Sequence, residues 1–179
     1  MLRRIYMNIA VISYSFTGNN EALARSVANA LSAEHIRISE AKPRTHGRIT
    51  FDMIFDRIPL VQPKPEQIGK YDIILFFGPV WMGKVATPLR AYLKDLKKNP
   101  QKYGYLSISG GADGPNPKVP GELRKRTGAD PVVFIEQHIA DLISADHKPA
   151  RKDTSAYKLN EGDINQLTGK IVKKVRDMI

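Results

Sequence analysis

Asn8-Ile9-Ala10-Val11-Ile12-Ser13-Tyr14 runs directly into Ser15-Phe16-Thr17-Gly18-Asn19-Asn20, and that turn runs into the Ala/Leu-rich stretch Glu21 to Leu31. The first seven residues are apolar and partly β-branched, as a strand covered on both faces should be. In the stretch that follows, Leu23, Val27, Ala30 and Leu31 recur at helical spacing. Between them lies a turn of small residues bearing hydroxyls and amides. The first N–H groups of the helix have no intrahelical partner there, and the positive end of its dipole points at the same spot. A phosphate would meet main-chain donors and hydroxyls in this turn, with Gly18 permitting close approach. The same residues also read as a plain helix cap supplied by Thr17 or Asn19. Local chemistry does not choose between the two.

Working outward, strand-like runs recur at Asn8–Tyr14, His35–Ser39, Asp72–Gly78, Tyr103–Ser109 and Pro131–Gln137. Helix-like runs lie at 19–31, 85–97, 121–127 and 162–178. Strands alternating with helices predict a parallel sheet covered on both faces. Ile73-Ile74-Leu75-Phe76-Phe77 is continuously apolar, the mark of a central strand. For the last helix, Asn160 and Asp163 form a start signal, and Ile164, Leu167, Ile171, Val175 and Met178 form its apolar stripe. Two stretches fall outside the alternation. Residues 42–67 carry four prolines and an amphipathic piece with Phe51, Ile54, Phe55 and Ile58 on one face. Packing of that face onto the sheet edge is expected, with a lid or an oligomer contact as the alternatives. Residues 138–158 read as a polar, basic loop.

The 179 residues are read as a single domain, with residues 1–7 as a tail ahead of the first strand. The arginine-bearing start reads as a tail rather than a secretory signal, because Asn8 and Ser13 interrupt its apolar stretch. No run reaches membrane-spanning length, and a cytoplasmic location is expected. With no cysteine, disulfides, thiolate metal sites and thiol nucleophiles are excluded. Redox chemistry would therefore need an organic cofactor or a metal held by other ligands. His35, His46, His138 and His147 are scattered and predict no metal site. The net charge of +10 is the unusual number. A basic surface attracts nucleic acid, acidic proteins or phosphorylated ligands. No recognition-helix or aromatic-interleaved RNA motif accompanies it, so nucleic acid is not assigned as a partner.

In an open parallel sheet, ligands bind beyond the carboxyl ends of the strands. Three segments follow such ends: Ser15 to Asn20, then Pro79-Val80-Trp81-Met82-Gly83 with the only tryptophan, then Ser109-Gly110-Gly111-Ala112-Asp113. A ligand with a phosphate, a flat aromatic ring and polar ring edges would satisfy all three. Core packing of Trp81 and a tight turn at Gly110-Gly111 are the alternatives.

These segments resemble the flavodoxin family. Ser15-Phe16-Thr17-Gly18-Asn19-Asn20 is similar to the family's FMN phosphate loop, although Asn20 stands where that loop ends in threonine. Its amide is expected to donate to phosphate instead. Gly78 to Gly83, followed by Ala86, Pro88 and Leu93, resembles the second flavin loop and its helix, and Ser109-Gly110-Gly111 resembles the loop along the ring edge. The resemblance implies a doubly wound α/β fold, a five-stranded parallel sheet of order 2-1-3-4-5 with helices on both faces, and one bound FMN. It assigns Ser15 to Asn20 to the phosphate, Pro79 to Gly83 to the ring with Trp81 on or beside it, and Ser109, Gly110, Gly111 and Asp113 to the ring edge. No catalytic side chain is implied. The implied work is electron transfer with a partner protein, or NAD(P)H-dependent reduction of a small quinone-like acceptor. An interaction module of this fold without flavin is the alternative. Electron-shuttling members of the family are typically acidic. The reversed sign here predicts a raised flavin potential, with Lys84 as the nearest cation in sequence.

Overall fold

The computed structural model describes residues 7–143 and 149–178. The expected N-terminal tail, apart from Met7, and His147 lie outside the described residues. In chain order the elements are β1 (Ile9–Ser13), α1 (Asn19–Leu31), β2 (Glu34–Arg37), α2 (His46–Ile54), β3 (Ile73–Phe77), β4 (Val80–Trp81), β5 (Lys84–Val85), α3 (Arg90–Lys98), β6 (Lys102–Ser109), α4 (Val119–Thr127), β7 (Val133–His138), α5 (Arg151–Ala156) and α6 (Glu161–Met178). Strands β2-β1-β3-β6-β7 form one sheet, parallel throughout, and β4-β5 is a small separate hairpin. Numbered within the main sheet, the order is 2-1-3-4-5, as the resemblance implied. Among the described residues, no helix is long and apolar enough to cross a membrane.

Strand periodicity divides the core in two. Ala10, Ile12, Ile74, Phe76, Tyr103 and Tyr105 face α3 and α4 and pack with Leu89, Leu93 and Leu123. Val11, Ile73, Leu75, Phe77, Leu106 and Ile108 point the other way, onto Leu23 and Val27 of α1 and Leu167, Ile171 and Val175 of α6. Alternation by twos places successive residues of a central strand in opposite layers, so every residue of β3 is buried. The start of α6 is a capping box: Asp163 N–H donates to Asn160 Oδ1 (2.9 Å), and Asn160 N–H donates to Asp163 Oδ2 (3.0 Å).

Several expectations need correction. Ala30 and Met178, counted in apolar stripes, are exposed: Ala30 lies beside the buried face, which runs through Leu23, Ala24, Val27 and Ala28 to Leu31, and Met178 lies at the very end of α6. The third helix begins at Arg90 rather than 85. The hairpin and a short 3-10 turn at Thr87–Leu89 occupy the intervening residues, and Pro88 suits a first helical turn. The largest correction concerns residues 42–67. Its helix α2 does not lay its apolar face on the sheet: Phe51 is 48%, Ile54 65% and Phe55 63% exposed. Only Asp52 and Met53 of α2 are buried.

Charge holds this excursion down instead. The Arg44 side chain, 1% exposed, donates to Glu40 (2.6 and 2.8 Å) and to Asp52 (2.8 Å), whose side chains are each 6% exposed. A second network reaches α3 and α4. Fully buried Arg90 donates to Asp56 (2.9 Å) and to the Val85 carbonyl (3.2 Å), and Arg126 bonds both Asp56 and Glu122. Arg126, by hydrogen bond and by charge, and then Arg90 together outweigh burial and hold the Asp56 carboxyl below the usual range.

Candidate functional site

The chain leaves β1 for β2 on one side and reaches β3 on the other, so the topological switch point lies between the carboxyl ends of β1 and β3. The turn after β1 is shaped by Ser15, whose hydroxyl accepts from the Gly18 N–H (2.9 Å), with Gly18 at φ +98° as the residue before α1. Among the described residues no side chain caps this helix, so neither Thr17 nor Asn19 plays that part. Asn19 and Asn20 are both buried and act as clamps. Asn19 donates to the Tyr157 carbonyl (2.9 Å) and accepts from Leu159 N–H (3.2 Å). Asn20 donates to the Ile108 carbonyl (2.8 Å) and accepts from Ile108 N–H (3.0 Å). One N–H of the amide expected to reach phosphate is therefore taken by the end of β6, while Asn20 still lines the cleft. Fixed this way, the turn keeps its own donors open. Among the described residues, the N–H groups of Phe16, Thr17, Asn19 and Asn20 donate to no protein acceptor. Lys158 Nζ donates to the Thr17 carbonyl, bringing a cation to the same turn.

After β3, the hairpin β4-β5 reverses through Met82 (φ 51°) and Gly83 (φ 71°), a two-residue turn with both positions left-handed. The hairpin presents Trp81, half-buried, edge-on to Tyr14 (5.8 Å) and Phe16 (6.3 Å), with the Arg44 guanidinium 5.9 Å from its ring centre. Burial, chiefly, pushes the Tyr14 phenol up to about 12, so it stays neutral at ordinary pH. Phe16 also meets the His46 ring edge-on at 5.2 Å.

After β6, two glycines are required by close approach. A Cβ on Gly110 would lie 2.9 Å from Thr154 Oγ1; one on Gly111, at φ +72°, would lie 2.3 Å from His138 Cβ. Gly111→Ala combines left-handed strain with a clash against a side-chain root that cannot swing away. It should cost about 2–4 kcal/mol and lower the melting midpoint by about 5–15 °C in thermal unfolding. A shift below about 2 °C would show that His138 relaxes freely. Next to these glycines, the Ser109 hydroxyl is buried and has no hydrogen-bond partner among the described residues.

The three turns enclose one cleft with two lobes. The first, about 300 Å³, is lined by Phe16, Thr17, Asn20, Pro79, Val80, Trp81, Ser109 and Gly110. The second, about 240 Å³, is lined by Val80, Met82, Gly83, Ser109, Gly110, Gly111 and Asp113. Ser15, Gly18 and Asn19 line neither lobe: the first two set the backbone and the third anchors it. Asp113 sits at the rim, ion-paired with exposed Arg151 (2.9 Å). Lys84 faces away, onto a separate groove. Several contributors were missed in the sequence, Ile139, Asn116 and Arg151 on the lining among them. His46 lines the first lobe, Thr154 and Ser155 line both, and Lys158 reaches the phosphate-type turn. The stretch 138–158 thus includes helix α5, which packs Thr154 against Gly110.

Open N–H donors, a nearby ammonium, aromatic walls and a hydroxyl without a partner among the described residues are the features that a flat, anionic, polar-edged molecule would use. No protein-family model matches the sequence, and no curated protein matches it. Solved structures do match its shape. A provisionally named flavoprotein of Bacteroides eggerthii DSM 20697 superposes with a TM-score of 0.63 at 19% identity, over 92% of this chain and 98% of that one. A similarly named protein of Bacteroides uniformis ATCC 8492 gives 0.63 at 17%, over 83% and 96%. A flavoprotein of Lactobacillus acidophilus NCFM in complex with FMN gives 0.59 at 18%, over 73% and 93%. At this identity the likeness establishes the fold, which is flavodoxin-like.

Proposed function

We propose that the cleft binds one FMN and that the chain is an FMN-dependent redox protein. The observation that carries the reading is that Thr17, Trp81 and Ser109, from turns after three different strands, line a single cavity at the switch point. The FMN complex of the Lactobacillus acidophilus flavoprotein supports it from the same fold. The open N–H groups from Phe16 to Asn20, the Thr17 hydroxyl and Lys158 would hold the phosphate. Trp81 would flank the ring, and Ser109, Gly110 and Gly111 would line its polar edge. FMN supplies the electron chemistry when bound; the protein's own residues bind it, orient it and limit solvent access.

Reconstitution with FMN tests this. One equivalent should bind, and Thr17→Ala, removing one hydrogen bond to a charged group, should weaken affinity about 10- to 150-fold. Trp81→Ala should weaken it about tenfold through lost ring contact. A colourless chain indifferent to added FMN would overturn the reading and leave the flavin-free interaction module. The finer assignment follows from anaerobic mixing with NAD(P)H alone. Rapid bleaching of the bound flavin assigns a reductase of quinone-like acceptors, whereas dependence on a separate reductase assigns an electron carrier. Dye-equilibrated titration should give a potential above that of an acidic flavodoxin, and a value as low would remove any role for the net charge of +10.

A further inference from the structure

A groove of about 820 Å³ runs between α3 and α4, and Met82 and Gly83 form a wall common to it and to the second lobe of the cleft. Its lining is cationic beyond what folding uses. Arg90 and Arg126 are engaged by Asp56 and Glu122, the two carboxylates present. Lys84, Lys94, Lys97, Lys118 and Lys125 also line it, and among the described residues none of the five pairs with a carboxylate. Lys84 acts on the Asp56 carboxyl and Lys97 Nζ donates to the Lys125 carbonyl (3.4 Å), yet seven cations stand against two carboxylates, so the lining stays net positive and focuses a positive potential into the concavity. An anion of matching size neutralises that potential. The volume suits a nucleotide-sized molecule. No aromatic side chain lines the groove, so the stacking platforms that hold single-stranded nucleic acid are missing among the described residues.

We propose that this groove binds a small ligand carrying two or more phosphate groups, and that a reduced nicotinamide dinucleotide phosphate is its source. The site stands on the lysines alone; the choice of source rests on the FMN reading, because the ligand's far end would cross the Met82–Gly83 turn to the cleft. The groove would then explain how a donor is captured beside the flavin without any contact in the phosphate turn after β1.

Calorimetric titration of the flavin-free chain with 2′,5′-ADP and with inorganic pyrophosphate tests the site without relying on redox activity. Both should saturate one site and weaken as ionic strength rises from about 50 to about 200 mM. The triple variant Lys94→Gln/Lys118→Gln/Lys125→Gln should bind each at least about tenfold more weakly while binding FMN as the parent does. No saturation of the parent by about 1 mM 2′,5′-ADP, or equal affinity in the variant, overturns the site. Tighter binding of 2′,5′-ADP than of pyrophosphate supports the nucleotide source; equal binding overturns that source. A chain that binds 2′,5′-ADP but no FMN keeps the groove and loses the flavin reading, whereas one that binds FMN but neither anion loses the groove alone.

Discussion

Arg44→Met lowers the stability of this protein by about 3–5 kcal/mol, the largest effect expected of any single substitution here. The Arg44 side chain is 1% exposed and is the shared partner of two carboxylates that are themselves almost wholly buried. Removing it leaves Glu40 and Asp52 desolvated and mutually repelling. Arg57, mostly exposed and 3.9 Å from Asp52, compensates little. The damage reaches the cleft, because Arg44 also stands over the Trp81 ring. Urea unfolding measures the loss, and the emission of the only tryptophan reports the loosened ring. Neutralising all three groups, in Arg44→Met/Glu40→Gln/Asp52→Asn, should recover most of the stability, since an uncompensated charge costs more than an absent pair. A loss below about 1 kcal/mol for Arg44→Met would mean that water reaches both carboxylates.

Asn20→Ala is the second. Its two hydrogen bonds satisfy the N–H and the C=O of Ile108, a buried residue at the end of β6. Leaving both unpaired should cost about 2–4 kcal/mol. The turn after β1 loses its tie to the sheet at the same time, so FMN affinity should fall together with stability. Thr17→Ala provides the contrast: exposed Thr17 has little structural duty, and its loss should weaken binding with the melting midpoint unchanged. If Asn20→Ala lowered affinity while stability stayed at the parent value, Asn20 would be a ligand contact and the clamp would be wrong.

The parts of this fold legible in the sequence are those written in local pattern. The apolar run of β3 identifies a central strand, and the polar turn from Ser15 to Asn20 between a strand and a helix identifies the switch-point loop. Trp81 and the glycine pair could be placed because they follow strands directly. What stayed hidden depends on partners far along the chain. Amphipathic spacing in α2 shows that Phe51, Ile54 and Phe55 share a face, but not that the sheet leaves that face uncovered. Helix α5 has six residues, too few for a periodic signal, and Thr154 is placed by the absence of a side chain on Gly110. The second duty of Asn20 was hidden for a related reason: an amide beside a phosphate-type turn reads as a donor to ligand, and only the fold shows that it also holds the backbone of Ile108.

The clamps made by Asn19 and Thr17 reach across some 140 residues, to Tyr157, Leu159 and Lys158. On a ribosome, therefore, the opening strand and helix are exposed long before the residues that brace their junction have been synthesised. Any binding in the cleft that needs this brace would wait for residues 157–159, and a chain cut just after β7 would carry all five strands of the sheet with an unbraced mouth.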